Sequence, residues 1–480
     1  MDATEFRRLE PMLTRYLQEF ADCFTRKDTR AHLKTYVCGQ LSNLDRKSVE
    51  PIADAAGVPV RTLQEYLSQH RWDEDLVRDR LQQRVARTHP SEHSVGLIDE
   101  TSFRKKGKKT PGVQRQYCGN IGKQDNCIVT VHLGYAVDDF HCLLDGELFL
   151  PESWSKDRAR CRVAGIPENM VYRPKTEIAL ELYDRARGNG MHFAWLTFDE
   201  WYGAKPKFLR GLQDRTQHYV GEIPKSFRGW IDPPGVTSRP YRRGRGRGRK
   251  VPRLLADSAE ARTVEELWEH DPRLRKKRWK PWRVKDGEKG PMLWEAKCTG
   301  FYPQDDRGLP GPRHQLIIAR NMLDPSEVKY FLAYAPPRTR LPTLLLVAFS
   351  RWRVERCFQD GKGEIGLSHY EGRRYAGLKR HLILSAVSYL FLMEGKEALR
   401  KKNPEWTVCQ VHRATSAFIQ SWWLDGQGRK KLLERAARKI TKDQRRIVRA
   451  RKNHTKTTRR KLRRLGIKLT KIPKCKWNSS

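Results

Sequence analysis

Two aspartates follow runs of apolar residues and could carry metal-dependent chemistry. Asp99 follows Ser94–Ile98, and Asp199 follows Phe193–Phe198. Both runs are typical of buried strands. A carboxylate at the end of such a strand is costly unless it is solvated, ion-paired or bound to a metal. Each acid is therefore either a simple turn aspartate or a metal ligand, and the two lie side by side if their strands are neighbours in a sheet.

Glu355 is the third candidate, because it lies on a predicted helix between two cations. Arg351, Glu355, Gln359 and Lys362 are spaced four, four and three positions apart, so they share one helix face. This spacing is typical of a surface ion pair, but it also suits a metal ligand flanked by cations that hold phosphate. The pattern alone leaves both interpretations open.

Cleavage of a phosphodiester bond without a covalent intermediate requires divalent ions, and these are held by carboxylates that come from distant parts of a chain. Two divalent ions held about 3.5–4 Å apart clamp the attacking and leaving oxygens of the phosphate. Magnesium prefers carboxylate oxygen and keeps some of its water. If Asp99, Asp199 and Glu355 converge, they would supply such a site.

The elements that must position these acids predict a mixed sheet with helices. Alternating or β-branched residues indicate strands, and apolar residues at helical spacing indicate helices. The predicted strands are Ser94–Ile98, Ile128–Leu133, Phe140–Phe149, Phe193–Phe198 and Tyr219–Ile223, and the predicted helices are Thr176–Arg187, Lys205–Leu212, Leu341–Gly361 and Leu378–Leu392. This order of strands and helices predicts an α/β fold of the mixed α+β kind. It is compatible with an RNase H-like core.

An insertion is predicted between the second aspartate and the glutamate helix. Short strand candidates occur at Met292–Cys298 and His314–Ala319. The Arg-Gly tract Tyr241–Lys250 cannot bury a core and predicts a flexible loop that binds a nucleic-acid backbone. The arginines expected to make those contacts are Arg243, Arg245, Arg247 and Arg249.

The first 90 residues show apolar spacing typical of helices and few strand signals. Within them, Pro51–Leu67 resembles a helix-turn-helix, in which Gly57 suits the turn. Arg61 and Thr62 begin the second helix, where base-reading residues lie in this motif. An ordinary helical hairpin explains the pattern equally well.

The charge of the chain points to an anionic partner. There are 96 Lys and Arg against 56 Asp and Glu, a formal net charge of +40. Nucleic acid is the obvious partner, because phosphate contacts by Lys and Arg release counterions, although a ribosomal or chromatin protein would share this charge. The basic segment Arg429–Arg464 is predicted to be helical and to contact a phosphate backbone, with a solvated face as the alternative.

Ten cysteines without a Cys-x-x-Cys pair argue against a structural zinc site and favour reduced thiols. The N-terminus lacks the pattern of a signal peptide. The apolar stretch Leu382–Met393 is too short to cross a bilayer and predicts a core helix. We therefore expect a soluble cytoplasmic protein with no membrane partner.

Four motifs resemble those of the DDE transposases of bacterial insertion sequences, in particular the IS701 type, which is allied to the IS4-like group. They are Asp99–Gly107, Gln114–Cys127, Phe198–Gly203 and Ser350–Lys362. The resemblance covers roughly residues 90 to 375. Ala348 is a departure, because the wider group has a tyrosine at this place in the glutamate motif.

The resemblance implies that Asp99, Asp199 and Glu355 are both the catalytic residues and the ligands of two Mg²⁺ ions, for which Mn²⁺ can substitute. It implies hydrolysis of DNA at the end of the element, followed by attack of the freed 3′-hydroxyl on the other strand or on a target phosphate. Arg351 and Lys362 would position phosphates.

The implied partners are double-stranded DNA, as terminal inverted repeats and as target, and a second copy of the chain in a synaptic homodimer. The protein would be bacterial and nucleoid-associated when bound to DNA. Two alternatives remain: a non-catalytic DNA-binding descendant of a transposase, and a structure-specific nuclease on an RNase H-like core.

Five regions are expected. They are a helical DNA-binding region at 1–90, the first part of an RNase H-like core at 91–230, the insertion at 231–338, the second part of the core with the glutamate helix at 339–395, and a basic helical region at 396–480.

Overall fold

The computed structural model describes residue 6 and residues 8–239, 251–287, 289–401, 404–422 and 424–477. The chain packs into two compact units. The first comprises Met1–His192 and Trp352–Arg449, and the second comprises Phe193–Arg351 and Ala450–Ser480. Both contain helices and strands, so the mixed α/β class is confirmed. The five-region division and the RNase H-like assignment stay predictions.

The helices and strands are numbered in chain order. The helices are α1 Leu9–Gln18, α2 Lys27–Leu41, α3 Val49–Ala56, α4 Val60–Ser68, α5 Glu74–Thr88, α6 Glu152–Lys156, α7 Arg158–Ala164, α8 Lys175–Gly188, α9 Glu200–Gly203, α10 Pro206–Asp214, α11 Val264–His270, α12 Pro272–Lys276, α13 Leu341–Ala348, α14 Trp352–Glu364, α15 Tyr375–Arg400, α16 Val408–Ser421 and α17 Gly426–Arg464. The strands are β1 Val95–Arg104, β2 Gln114–Cys118, β3 Lys123–Val137, β4 Phe140–Leu148, β5 Trp195–Thr197, β6 Tyr219–Ile223, β7 Arg228–Trp230, β8 Val236–Thr237, β9 Arg253–Leu254, β10 Arg262–Thr263, β11 Lys280–Gly287, β12 Gly290–Pro303, β13 His314–Asn321 and β14 Asp324–Tyr334.

An antiparallel sheet forms the centre of the first unit. Its long strand β3 pairs with β1, β2 and β4. Helix α15 packs on β4 and on the N-terminal helices α2, α4 and α5, and nearly all of its side chains between Gly377 and Gly395 are buried. The core helix predicted around Leu382–Met393 is thereby confirmed. No helix within the described ranges has the length and apolarity needed to cross a membrane.

The second unit has a mixed sheet, in the strand order β10-β7-β12-β13-β14-β6-β5, with β11 paired to β12. Strands β5 and β6 run parallel, and the neighbouring pairs from β6 to β7 are antiparallel. The two strands predicted in the insertion are present but longer, as β12 and β13. The strands β11 and β14, which pair with β12 and β13, begin with polar residues and were not predicted.

Several predicted boundaries are wrong, and two of these errors concern the elements that carry candidate site residues. Asp99 does not end its strand, because β1 continues to Arg104 through pairs with β3. The single helix predicted over Leu341–Gly361 is two helices, α13 and α14. The first helix ends before Phe349, whose ring packs on Trp294 and Phe331 at centroid distances of 4.8 and 5.5 Å.

The predicted helical pair near the N-terminus is present as α3 and α4. Gly57 joins them in the left-handed conformation, with φ of 64°, which glycine adopts at little cost. Arg61 is exposed at the start of α4 and pairs with Glu65 at 2.7 Å, while Thr62 is half-buried. Whether these two residues read DNA bases stays a prediction.

Candidate active site

Asp99 lies in the middle of β1, directly opposite His132 of β3. Residues that face each other across an antiparallel pair point to the same side of the sheet, so Asp99 shares a face with His132. Its Oδ1 atom accepts the backbone N–H of Glu100 at 2.7 Å. Glu100 points to the other face, where its carboxylate pairs with Lys175 at the start of α8.

Helix α14 covers the face of the sheet that carries Asp99. The Phe358 ring packs edge-on against His132, with a centroid distance of 5.2 Å, and α14 contacts β1, β3 and β4. Glu355 lies one turn before Phe358 and its side chain is exposed, whereas Val354 is buried. The first unit thus places the glutamate helix over the strand of the first aspartate.

Lys362 is bound to β1 by hydrogen bonds. Its Nζ donates to Thr101 Oγ1 at 2.6 Å, to Asn120 Oδ1 at 2.5 Å and to the Ser102 carbonyl at 3.4 Å. Thr101 is two residues from Asp99 and shares its face. Burial lowers the pKa of Lys362 to about 8, and the charge of Asp99 is among the influences that oppose this shift. A cation therefore lies within electrostatic range of the first acid.

Asp199 follows β5 and caps the short helix α9. Its Oδ1 atom accepts the N–H groups of Trp201 at 3.1 Å and Tyr202 at 3.2 Å, which satisfies two donors that the helix leaves unpaired. The helix packs tightly on β6: a Cβ atom on Gly203 would lie 1.9 Å from the Glu222 carbonyl oxygen. The motif after the second aspartate is therefore fixed by backbone contacts.

Arg351, the last residue of the second unit before α14, faces a carboxylate. Its Nε lies 3.5 Å from Glu222 Oε2, and Lys329 donates to the same carboxylate at 2.7 Å. Its proposed contact with phosphate stays a prediction. Arg243, Arg245, Arg247 and Arg249 lie outside the described residues.

The carboxylates fit magnesium by the type of donor they offer. Asp99 and Glu355 lie on contacting elements and are both at least partly exposed, and oxygen is the ligand that Mg²⁺ prefers. Asp145, by contrast, is buried and ion-paired with Arg185 at 2.8 Å. In the part of the chain that the structure describes, no group of three or more His, Cys, Asp or Glu side chains is arranged to hold a metal ion.

Asn120 is the site residue that sequence reasoning missed. Its Nδ2 donates to the Ser102 carbonyl at 2.6 Å while its Oδ1 accepts Lys362. The residue lies within the motif Gln114–Cys127, to which the sequence assigned no role. Its position in that motif was the only hint of a role in the site. Its contact with Lys362, 242 positions away, depends on tertiary packing and could not be predicted.

Comparison with known proteins supports the resemblance. The family model described as DDE superfamily endonuclease matches residues 19–291, more than half of the chain. That range contains Asp99 and Asp199 and ends before Glu355. A probable transposase for insertion sequence element IS701 from Microchaete diplosiphon is 30% identical over 198 residues, which cover 39% of this chain and 49% of that protein. The chain thus spans about half the length of this relative. With its family model matched over the whole sheet of the first unit and into the second, the chain belongs to the DDE superfamily endonucleases.

Proposed function

We propose that this protein is a transposase that cleaves DNA at the ends of an insertion sequence and joins the freed strand to target DNA. The observation that carries the proposal is the packing of α14 over the Asp99 face of β1, with Phe358 on His132. Family membership and the name of the IS701 relative support the same activity.

Asp99, Asp199 and Glu355 would hold two Mg²⁺ ions, for which Mn²⁺ can substitute. When bound, such ions activate water and stabilise the charge that develops on the phosphate. Hydrolysis breaks a phosphodiester bond at the element's end and leaves a 3′-hydroxyl. That hydroxyl then attacks a second phosphorus and displaces its 3′ oxygen, so no protein nucleophile is needed.

The cations of the chain orient the DNA for these steps. Lys362, held by Thr101 and Asn120 beside the first acid, would place a phosphate near Asp99. Arg351, in the second unit, would position another phosphate. A charged donor fixed by neighbouring oxygens does not have to reorganise when the phosphate gains charge.

The partners that follow are terminal inverted repeats, target DNA and a second copy of the chain in a synaptic homodimer. Arg61 and Thr62 at the start of α4 would contact the repeats, and the four arginines of the Arg-Gly tract would contact the backbone. The core would be RNase H-like, and the protein nucleoid-associated when it is bound to DNA.

The test uses Mg²⁺ and DNA that bears the gene's own flanking sequences. Wild-type protein is compared with Asp99→Asn, Asp199→Asn and Glu355→Gln, and with the matched controls Glu100→Gln and Glu200→Gln. Each control removes the charge of an acid adjacent to a proposed ligand. We expect cleavage and joining by the wild type and both controls, and neither by the three ligand variants.

Equal cleavage by all six proteins, or cleavage that persists in EDTA, would show that the site is wrong. Cleavage without joining would favour the structure-specific nuclease. Specific binding of the flanks without cleavage would favour the non-catalytic descendant.

A further inference from the structure

A basic groove crosses the surface of the first unit between the β1–β2 loop and the segment that follows α14. It has a volume of about 1140 Å³. The cations along it are Arg46, Arg104, Lys106, Lys108, Lys109 and Arg373, with Lys105 at its base. The acids in its lining, Asp125 and Glu371, are already ion-paired with Arg104 and Arg46. The groove therefore presents a strong excess of positive charge.

The loop that carries the lysines is held in place. Lys105 Nζ donates to the carbonyls of Ser368 and Tyr370, and burial lowers its pKa to about 8. Asn126 Nδ2 donates to the carbonyls of Lys105 at 2.5 Å and Gly107 at 3.0 Å. The start of the loop is thus fixed to neighbouring segments.

Three exposed lysines follow on this fixed loop. Lys106, Lys108 and Lys109 point to solvent, and no carboxylate within the described ranges pairs with them. Three like charges so close together on a held loop repel one another. Such an arrangement is stabilised by an anion with several charges along its length.

The groove leads to the candidate active site. Asn120 lines it and also accepts the hydrogen bond from Lys362, whose ammonium is influenced by Asp99. Asn120 thus connects the groove to the lysine that lies within electrostatic range of the first acid.

The lining indicates contact with phosphates rather than with bases. Among the described lining residues, Phe103 is only 2% exposed, and the half-buried His369 ring accepts the Lys47 backbone N–H at 3.0 Å, so the lining offers little ring surface for stacking on an unpaired base. Lysines, arginines and amides are the groups that bind DNA phosphates without reading sequence.

We propose that this groove, at the end of β1 beyond Asp99, binds the phosphate backbone of double-stranded DNA independently of sequence. The inference rests on the proposed function, since it names the surface that delivers the DNA to that site. It adds a binding site formed by the 104–109 loop and by Arg46 and Arg373.

The test measures binding in EDTA, where cleavage does not interfere. The affinity of the full chain for a fluorescent duplex of arbitrary sequence is followed by anisotropy over a range of salt concentrations. The variant Lys106→Ala/Lys108→Ala/Lys109→Ala removes three exposed charges. We expect roughly tenfold weaker binding near 0.1 M salt and a salt slope smaller by about 2 to 3, as for the loss of three phosphate contacts.

Two controls accompany the groove variant. Lys27→Ala/Lys156→Ala/Lys401→Ala removes the same charge from exposed positions of the first unit outside the groove, and should change affinity far less. Glu371→Gln removes an acid from the groove, releases Arg46 and should tighten binding. Thermal unfolding of each variant checks that it is folded.

Binding by the groove variant at wild-type strength, or an equal loss in the control triple, would overturn the inference. So would a single strand that competes better than the duplex. If the wild type cleaves and Asp99→Asn does not, while the groove variant binds normally, only the groove inference fails. If the groove variant binds weakly but the wild type never cleaves, only the proposed function fails.

Discussion

The two aspartates follow similar apolar runs but serve different local structures. Asp99 lies inside a strand that continues for five more residues, under a helix that brings Lys362 to the same face. Asp199 lies between a strand and a helix, and its Oδ1 atom caps that helix. Removing the first carboxylate takes away a charge and the acceptor of one amide within a strand, whereas removing the second takes away the acceptor of two amides that begin α9.

This difference decides which substitutions test catalysis cleanly. Alanine at position 99 leaves the pairing of β1 with β3 in place, because that pairing uses backbone atoms. Alanine at position 199 removes the Oδ1 atom that accepts the amides of Trp201 and Tyr202. Asparagine retains a capping oxygen and loses only the charge.

The largest expected effect is a loss of cleavage that is equally large for the asparagine variants of the two aspartates. Asp99→Asn and Asp199→Asn should each reduce Mg²⁺-dependent cleavage by about a thousandfold or more, since metal-mediated stabilisation amounts to several kcal/mol and each 1.4 kcal/mol is tenfold in rate. Single-turnover cleavage measures the rate, and urea unfolding should show the same midpoint as the wild type. Wild-type cleavage by either variant would remove that acid from the proposed site.

The second largest effect should come from Lys362, near the first acid, and should appear in the pH dependence of cleavage. Lys362 carries a charge below its pKa of about 8 and loses it as the pH rises. If that charge orients phosphate, its contribution to the rate of cleavage should fall about tenfold between pH 7 and pH 9, as expected for one titrating group. Lys362→Arg should lack this fall, because arginine stays protonated.

The measurement compares the two pH profiles in the same buffers. Identical profiles for the wild type and Lys362→Arg would show that the lysine does not orient the substrate. A general effect of pH on metal binding would move both profiles together, so their ratio isolates the contribution of the side chain at position 362.

Elements with a clear side-chain pattern could be predicted from the sequence, and those formed by polar residues could not. Strand β6 has the predicted bounds, because Tyr219–Ile223 is dense in strand-forming residues. The second half of β1 was missed since Glu100, Thr101 and Ser102 are polar. Their pairing with β3 is set by the neighbouring strand and not by their own preference.

The site shows the same division. The residue types of Asp99, Asp199 and Glu355 and their motifs suggested the chemistry, but partners far apart in sequence could not be read from it. Arg46 and Arg373 flank the lysines of the β1–β2 loop only after folding. The excess of positive charge was evident from composition, whereas its concentration in one groove was not.

The smallest expected effect separates the two aspartates most directly. Asp199→Ala removes an N-cap, which contributes about 1 kcal/mol, so the amides of Trp201 and Tyr202 should exchange their hydrogens roughly fivefold faster. Asp199→Asn should keep the wild-type exchange, because an asparagine oxygen accepts the same bonds. Asp99→Ala should leave exchange in α9 unchanged. Native-state hydrogen exchange with mass spectrometry resolves this segment. Unaltered protection in Asp199→Ala would mean that contacts with β6, such as the close approach at Gly203, hold α9 without its cap, and that alanine is as clean a catalytic test at position 199 as at position 99.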